Sequence, residues 1–270
     1  MSAPRQQMLP LAAWPASERA GIVGVLTDID DTLTTEGAVT PDALQALAAL
    51  RAAGLHVIPI TGRPVGWSEP FVAQWPVDAI VAENGAVALV HESDGKALRK
   101  LYVQDAGTRA TNFARMQDVG RRIEREVPGA RLSQDSAGRE TDIAIDHSEF
   151  TRLPADGIER VLQLMRSEGM NATVSSIHVN GWYGEHHKLY GARWIVRQLL
   201  ERDLDAELER WVYIGDSTND VLMFEHFRHS VGVANIRRFE QQLTHKPRYV
   251  TPGERGAGFA QVAAAILSAR

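Results

Sequence analysis

The segment Thr27-Asp28-Ile29-Asp30-Asp31-Thr32-Leu33 follows directly on the apolar run Gly21-Ile22-Val23-Gly24-Val25-Leu26. A short β-branched run that ends in acids reads as a buried parallel strand delivering charge to its C-terminal end. That edge is where open α/β sheets bind ligands. Asp28 and Asp30 are two residues apart, so in extended backbone both side chains point to one side. Carboxylates held that close repel unless a cation or a shared proton separates them, and a divalent metal is the usual solution. A second apolar run, Val57 to Ile60, leads into Thr61-Gly62-Arg63, and a third, Trp211 to Gly215, leads into Asp216-Ser217-Thr218-Asn219-Asp220. Lys188 opens a helical pattern. A nucleophile, hydrogen-bond donors and a compact positive charge, presented at strand ends and a helix start, are what phosphoryl transfer requires.

The elements that must position these groups can be read from apolar spacing and breakers. Thr40-Pro41 predicts a helix start, Leu44, Leu47 and Leu50 its apolar face, and Gly54 its stop. Strands are expected at Leu55 to Thr61 and at Asp78 to Ala82, the latter closing at Glu83-Asn84-Gly85. A helix beginning beyond Arg63 would add its preference for anions to the Thr61 loop. Strand, helix, strand repeated in this way predicts a doubly wound α/β core with a parallel sheet. From about Ala86 to Tyr183 the texture changes. Phe113, Met116, Val119 and Ile123 predict a helix ending near Pro128-Gly129, Thr141 to Asp146 a strand, Ile158 to Met165 a second helix stopped by Gly169, and Ala172 to Val179 a last strand. This order predicts an inserted α+β domain over 86–183, with the core in 1–85 and 184–270. The core resumes with the helix Lys188 to Arg202 and ends with the helix Gly258 to Ala269. Met1 to Ala20 is expected to be a partly flexible lead-in.

Composition narrows the functional classes. With 270 residues, 44% hydrophobic and 23% charged, the chain can bury one large core plus a smaller one. A formal net charge of -5 argues against a nucleic-acid footprint, which would need a basic stripe. No stretch reaches the length of a membrane span, and the apolar patch from Met8 to Trp14 is interrupted by Pro10 and Pro15, so a signal peptide is not expected. The absence of cysteine removes disulfides, thiol catalysis and Cys-ligated zinc, and fits a cytoplasmic protein. His186 and His187 are adjacent and would not share a helix face, so they are not read as a metal pair.

Taken in order, Asp28-x-Asp30-x-Thr32, Thr61, Lys188 and Gly215-Asp216-x-x-Asn219-Asp220 resemble the four motifs of the haloacid dehalogenase (HAD) superfamily. The insert, lying between the Thr61 loop and Lys188, resembles the C2-type cap of the Cof-type or IIB branch. Sucrose-phosphate, trehalose-phosphate and mannosyl-3-phosphoglycerate phosphatases and the phosphomannomutases belong to that neighbourhood. One departure is Asp31, which stands where Cof-type relatives carry Gly. The resemblance implies a Mg²⁺-dependent phosphomonoester phosphatase working through an aspartyl phosphate on a small phosphorylated metabolite, with a sugar phosphate as the leading guess. Asp28 would be the nucleophile and Asp30 the general acid and base. Asp28, Asp216 and the backbone carbonyl of Asp30 would hold the metal. Thr61, Gly62, Arg63, Lys188 and Asn219 would meet the substrate, and Asp220, with Asn219, would orient Asp216 and Lys188. Asn180, Trp182 and Tyr183 are candidates either for sugar contact or for hinge packing. A phosphomutase uses the same intermediate, and a phospho-receiver module clusters similar residues without so large an insert. A monomer or homodimer without nucleic-acid or membrane partners is expected.

Overall fold

A computed structural model of the chain describes residues 7–91 and 97–270. Six parallel strands form the central sheet in the order Leu9–Pro10, Tyr249–Val250, His229–Gly232, Trp211–Gly215, Gly24–Thr27, His56–Pro59. The four longer strands are buried on both faces, which their near-continuous apolar sequences require. Side chains nevertheless alternate between two cores. Val25, Val57, Val212 and Ile214 pack with Leu47, Leu50, Phe259 and Val262 from the helices Pro41–Ala52 and Arg255–Leu267. Leu26, Ile58 and Tyr213 pack with Ile195, Val196 and Phe224 from Lys188–Leu200 and Val221–His226 on the other side. Register pairs Thr27 with both Ile214 and Pro59, so the residues after each of these strands emerge at one edge.

Beyond His56–Pro59 the sheet continues through a single parallel bridge, Ile60 to Val81, into an antiparallel meander of Ala79–Ala82, Val87–His91 and Leu98–Tyr102. The last two strands fall inside the range expected for the insert, yet Val87, Leu89, Ala88 and Val90 belong to the two core clusters. A third cluster, around Met116, Val119, Ile123, Ile145, Val161, Met165 and Val179, lies between the helices Ala106–Glu126 and Ala155–Ser167 and an antiparallel sheet of Asn171–Val174, His178–Trp182 and Ile143–Asp146. This is the expected α+β insert.

Three local expectations differ. The single strand foreseen at 172–179 is a hairpin, turning where the Ser175 amide donates to the His178 carbonyl at 2.8 Å. Two adjacent serines supply that turn without the glycine or proline that would have advertised it. The described part of the lead-in is packed: Leu9–Pro10 pairs with Tyr249–Val250, and Trp14 is buried, stacked on Tyr249 at 5.6 Å. Residues 1–6 of that segment lie outside the described residues. Thr40 does precede the helix Pro41–Ala52, but its hydroxyl makes no capping bond and is buried beside Gly256. Among the described residues no helix is long and apolar enough to cross a membrane.

Candidate active site

Asp28 leaves the end of Gly24–Thr27 with its amide donating to the Ile214 carbonyl at 2.8 Å, which fixes it beside the Trp211–Gly215 strand end. Asp216 follows that strand, and Asp220 closes the turn by accepting from the Asp216 and Ser217 amides at 2.9 and 3.1 Å. Lys188 is the first residue of its helix. Its ammonium bridges Asp28 Oδ1 at 2.8 Å and Asp220 Oδ1 at 2.7 Å. The helix start is held there by a close backbone approach. Gly85, at φ +104°, lies against the His187 carbonyl, where any Cβ would collide.

Asp28, Asp216 and Asp220 are all buried, and each brings a carboxylate oxygen within 4.8 Å of the others. Burial pushes the Asp28 carboxyl up to about 7 against the opposing pull of Lys188, and Asp220 and Asp30 add to the rise. Asp216 is raised well above the usual carboxylate range by burial and by Asp28 and Asp220. Burial disfavours the Lys188 ammonium, but Asp220 and Asp28 outweigh it and hold the lysine charged. Lys188 bonds Asp28 and Asp220 but not Asp216, so with all three carboxylates ionised the cluster would carry two negative charges beyond its one ammonium. Asp28 Oδ2 and the Asp30 carbonyl oxygen accept no hydrogen bond among the described residues. An all-oxygen set with uncompensated charge fits a hard divalent cation.

The side chain of Asp30 does not join this cluster, contrary to the expectation of two carboxylates side by side. The strand ends at Thr27, and the chain then turns, with the amides of Thr32, Leu33 and Thr34 all donating to the Ile29 carbonyl. The period-two argument therefore stops applying before Asp30. Its carboxylate is gripped instead by Arg63, whose Nε donates to both oxygens at 2.9 and 3.0 Å. Arg63 also reaches Glu149 at 2.8 Å and Asp135 at 3.5 Å, both on the insert, and lies over the Trp67 ring at 5.0 Å. Arg63 is thus a brace between core and insert. Thr61 and Gly62 stand at the neighbouring strand end, next to the N-terminus of the helix Val65–Gln74. The Thr61 hydroxyl accepts from the Arg63 amide at 3.0 Å.

A family model for haloacid dehalogenase-like hydrolases matches residues 25–120 and 193–262. The chain belongs to the haloacid dehalogenase-like hydrolases. The match contains the Asp28, Thr61 and Asp216 loops and omits most of the insert together with Lys188. No curated protein matches this HAD-like chain in sequence. Solved structures match it in fold. The sucrose-phosphatase of Synechocystis sp., in complex with sucrose and phosphate, has a TM-score of 0.63 at 15% identity, over 90% of this chain and 97% of that one. The C-terminal domain of a C. albicans trehalose-6-phosphate phosphatase has a TM-score of 0.69 at 12% identity, over 98% and 99%. A haloacid dehalogenase-like hydrolase from Bacteroides thetaiotaomicron has a TM-score of 0.61 at 14% identity, over 91% and 99%.

The HAD-like site also contains residues that the sequence did not single out. Asn235 donates to Asp216 Oδ2 at 3.1 Å and to the Asp31 carbonyl at 3.0 Å, tying the first acidic loop to the last. It follows the short strand His229–Gly232, whose flanks carry no strong breaker. Tyr213, buried in its strand, donates its hydroxyl to Asp220. Thr32, which the first motif already named, lies 3.5 Å from Asp216 Oδ1. Asn219 takes no part in the cluster; its side-chain oxygen accepts from the Ser217 hydroxyl at 2.9 Å. Trp182 and Tyr183 are packed, with Trp182 donating to the His186 carbonyl and Tyr183 to the Glu168 carbonyl. His187 caps its helix by accepting from the Tyr190 amide, and His186 is stacked on Trp182. Asp31 has φ +54°, a conformation glycine adopts without penalty, which accounts for the Gly of Cof-type relatives at this place. Here Arg255 compensates the acid at 3.1 Å.

Proposed function

We propose that this chain is a Mg²⁺-dependent phosphomonoester phosphatase acting on a small phosphorylated metabolite, with sugar phosphates as the leading class. The observation that carries this reading is the Lys188 ammonium bridging Asp28 and Asp220 while Asp28 Oδ2 stays unbonded at the sheet edge. Asp28 attacks phosphorus, the bond to the leaving oxygen breaks, and Asp30 delivers a proton to the departing alkoxide. Asp30 then takes a proton from water, which attacks the aspartyl phosphate and releases inorganic phosphate and free Asp28. Lys188, Thr61 and the Gly62 amide, which has no partner among the described residues, receive the phosphoryl oxygens. Asp28, Asp216 and the Asp30 carbonyl would hold Mg²⁺, with Asp220 fixing the loop and the lysine. When bound, the ion supplies charge for the phosphoryl oxygens and keeps Asp28 ionised.

The division into a core of 1–85 and 184–270 and a cap of 86–183 belongs to the same reading, amended in that the strands Val87–His91 and Leu98–Tyr102 pack with the core and the packed cap begins at the helix Ala106–Glu126. Glu149, Asp135 and His178 stand on the cap around Arg63, and His178 lies 2.9 Å from Glu149. These are the polar groups placed to meet a hydroxylated leaving group. Asp30 sits between them and the acidic cluster, so it must loosen its bond to Arg63 to act as an acid.

A panel of phosphorylated metabolites assayed with Mg²⁺ and with a chelator tests this reading. Inorganic phosphate should appear with Mg²⁺ and fall to background with chelator. An isomeric sugar phosphate in place of inorganic phosphate would identify a mutase. Asp30→Asn should cost roughly a hundredfold or more on a sugar phosphate, whose alkoxide needs a proton. It should cost far less on an aryl phosphate, a good leaving group. Equal losses on both substrates would remove Asp30 from the general-acid role.

A further inference from the structure

The phosphate-contacting loop is held from behind by the insert. The Gly62 carbonyl accepts from Arg139 Nη1 at 2.9 Å and from Asn180 Nδ2 at 3.3 Å, and both donors belong to the cap. They are themselves fixed by Asp142, which accepts from Arg139 at 2.7 Å, from Asn180 at 3.1 Å and from Asn84 of the core at 3.3 Å. Arg139, Asp142, Asn180 and Asn84 are all at most 4% exposed, so this is a buried polar contact in which the Asp142 charge is paired and hydrogen-bonded. A second tie runs beside it. The buried Glu83 carboxylate accepts from the Val65 amide of the core and from the Glu140 and Thr141 amides of the cap.

The consequence follows from peptide geometry. The Gly62 carbonyl and the Arg63 N–H belong to one rigid, planar peptide. Two donors on its oxygen set the orientation of that plane, and its N–H donates to Thr61 Oγ1. A hydroxyl that already accepts there has its single proton left for another acceptor. We propose that Arg139 and Asn180 are positioning residues that orient Thr61 and Gly62 toward a phosphoryl group. The insert therefore builds the phosphate site as well as selecting the leaving group. This inference rests on the phosphatase reading above and replaces the two alternatives considered for Asn180, sugar contact and hinge packing, with a third.

Asn180→Ala removes one neutral donor and leaves Asp142 with Arg139 and Asn84, so the variant keeps its buried charge paired. Arg139→Lys keeps the charge but not the planar fork, whose Nη1 reaches Gly62 and Asp142 while Nε and Nη2 hold Asp135. KM and kcat should be measured on an aryl phosphate and on the best sugar phosphate, alongside calorimetric binding of inorganic phosphate in the presence of Mg²⁺. Asn180→Ala should raise KM and the phosphate dissociation constant by roughly five- to tenfold, by the same factor on both substrates, with kcat changing less. Arg139→Lys should do the same or more. A loss confined to the sugar phosphate would make Asn180 a leaving-group contact and overturn the inference. A lower Tm with unchanged phosphate affinity would overturn it as merely structural. If wild type hydrolysed no ester, the phosphatase reading would fall, and phosphate affinity in wild type against Asn180→Ala would still decide the loop. Wild type without phosphate affinity would overturn both.

Discussion

Asp28→Asn should abolish phosphate release from aryl and alkyl phosphates alike, by on the order of 10⁴-fold or more, because an amide is not a competent nucleophile for a covalent mechanism. The same substitution should stabilise the metal-free protein at high pH. Folding raises the Asp28 carboxyl to about 7, so its contribution to stability is complete below the unfolded value near 3.8 and is lost as pH rises through 7. Above that pH the wild type keeps an ionised carboxylate buried, whereas the amide does not titrate. A shift of this size corresponds to roughly 4 kcal/mol and to roughly 10 °C in Tm for a chain of this length. Thermal melts with chelator at pH 5 and pH 8 read the effect: the margin of the Asn variant over wild type should be clearly larger at pH 8 than at pH 5. Substantial turnover by Asp28→Asn would exclude the aspartyl phosphate, and a lower Tm at pH 8 would remove the charge crowding.

Lys188→Met should be the most destabilising single change in the site. It removes the one ammonium shared by Asp28 and Asp220 and keeps the volume of the side chain. Breaking a buried ion pair by deleting one partner costs about 3–5 kcal/mol, or roughly 10 °C in Tm at this size. The loss should be greatest at pH 8, where the carboxylates are ionised, and should shrink toward pH 5 as Asp28 and Asp216 take up protons. Mg²⁺ should restore part of the Tm but not the rate, because the charge that receives the transferring phosphoryl group is still absent. Loss of the rate should be on the order of a hundredfold to a thousandfold, the scale of removing one preorganised stabiliser. A Tm within about 2 °C of wild type at pH 8 without metal, roughly 1 kcal/mol, would show that Lys188 does not carry the balance of charge.

The strand ends were legible because an apolar run that stops in Asp, Thr or Gly-Asp states both where the sheet edge lies and what stands there. Asp28, Thr61 and Asp216 could be read from those runs, and register then brings their strands into line. The insert's helices were equally readable, since Met116, Val119, Ile123 and Val161, Leu162, Met165 each mark one helical face. Short elements were not. His229–Gly232, Tyr249–Val250 and Leu9–Pro10 are too brief to show a period, and they form strands because the sheet offers them an edge. Asn235, which follows the first of these, was hidden with it.

What the sequence by itself determined was the set of reactive groups, their order and the strand or helix terminus that presents each one. Those follow from local chemistry: β-branched runs, caps and breakers act within a few residues. What only the tertiary structure decided was the pairing of charges. Asp30 parted from Asp28 and joined Arg63, Asp220 took its place in the acidic cluster, and Asn180 and Arg139 came to rest on Gly62. A carboxylate finds its partner by which side chains burial brings within about 3 Å, the reach of a hydrogen bond. That proximity is created by the fold joining residues far apart in the chain, such as Asp28 and Lys188, and no local pattern encodes it.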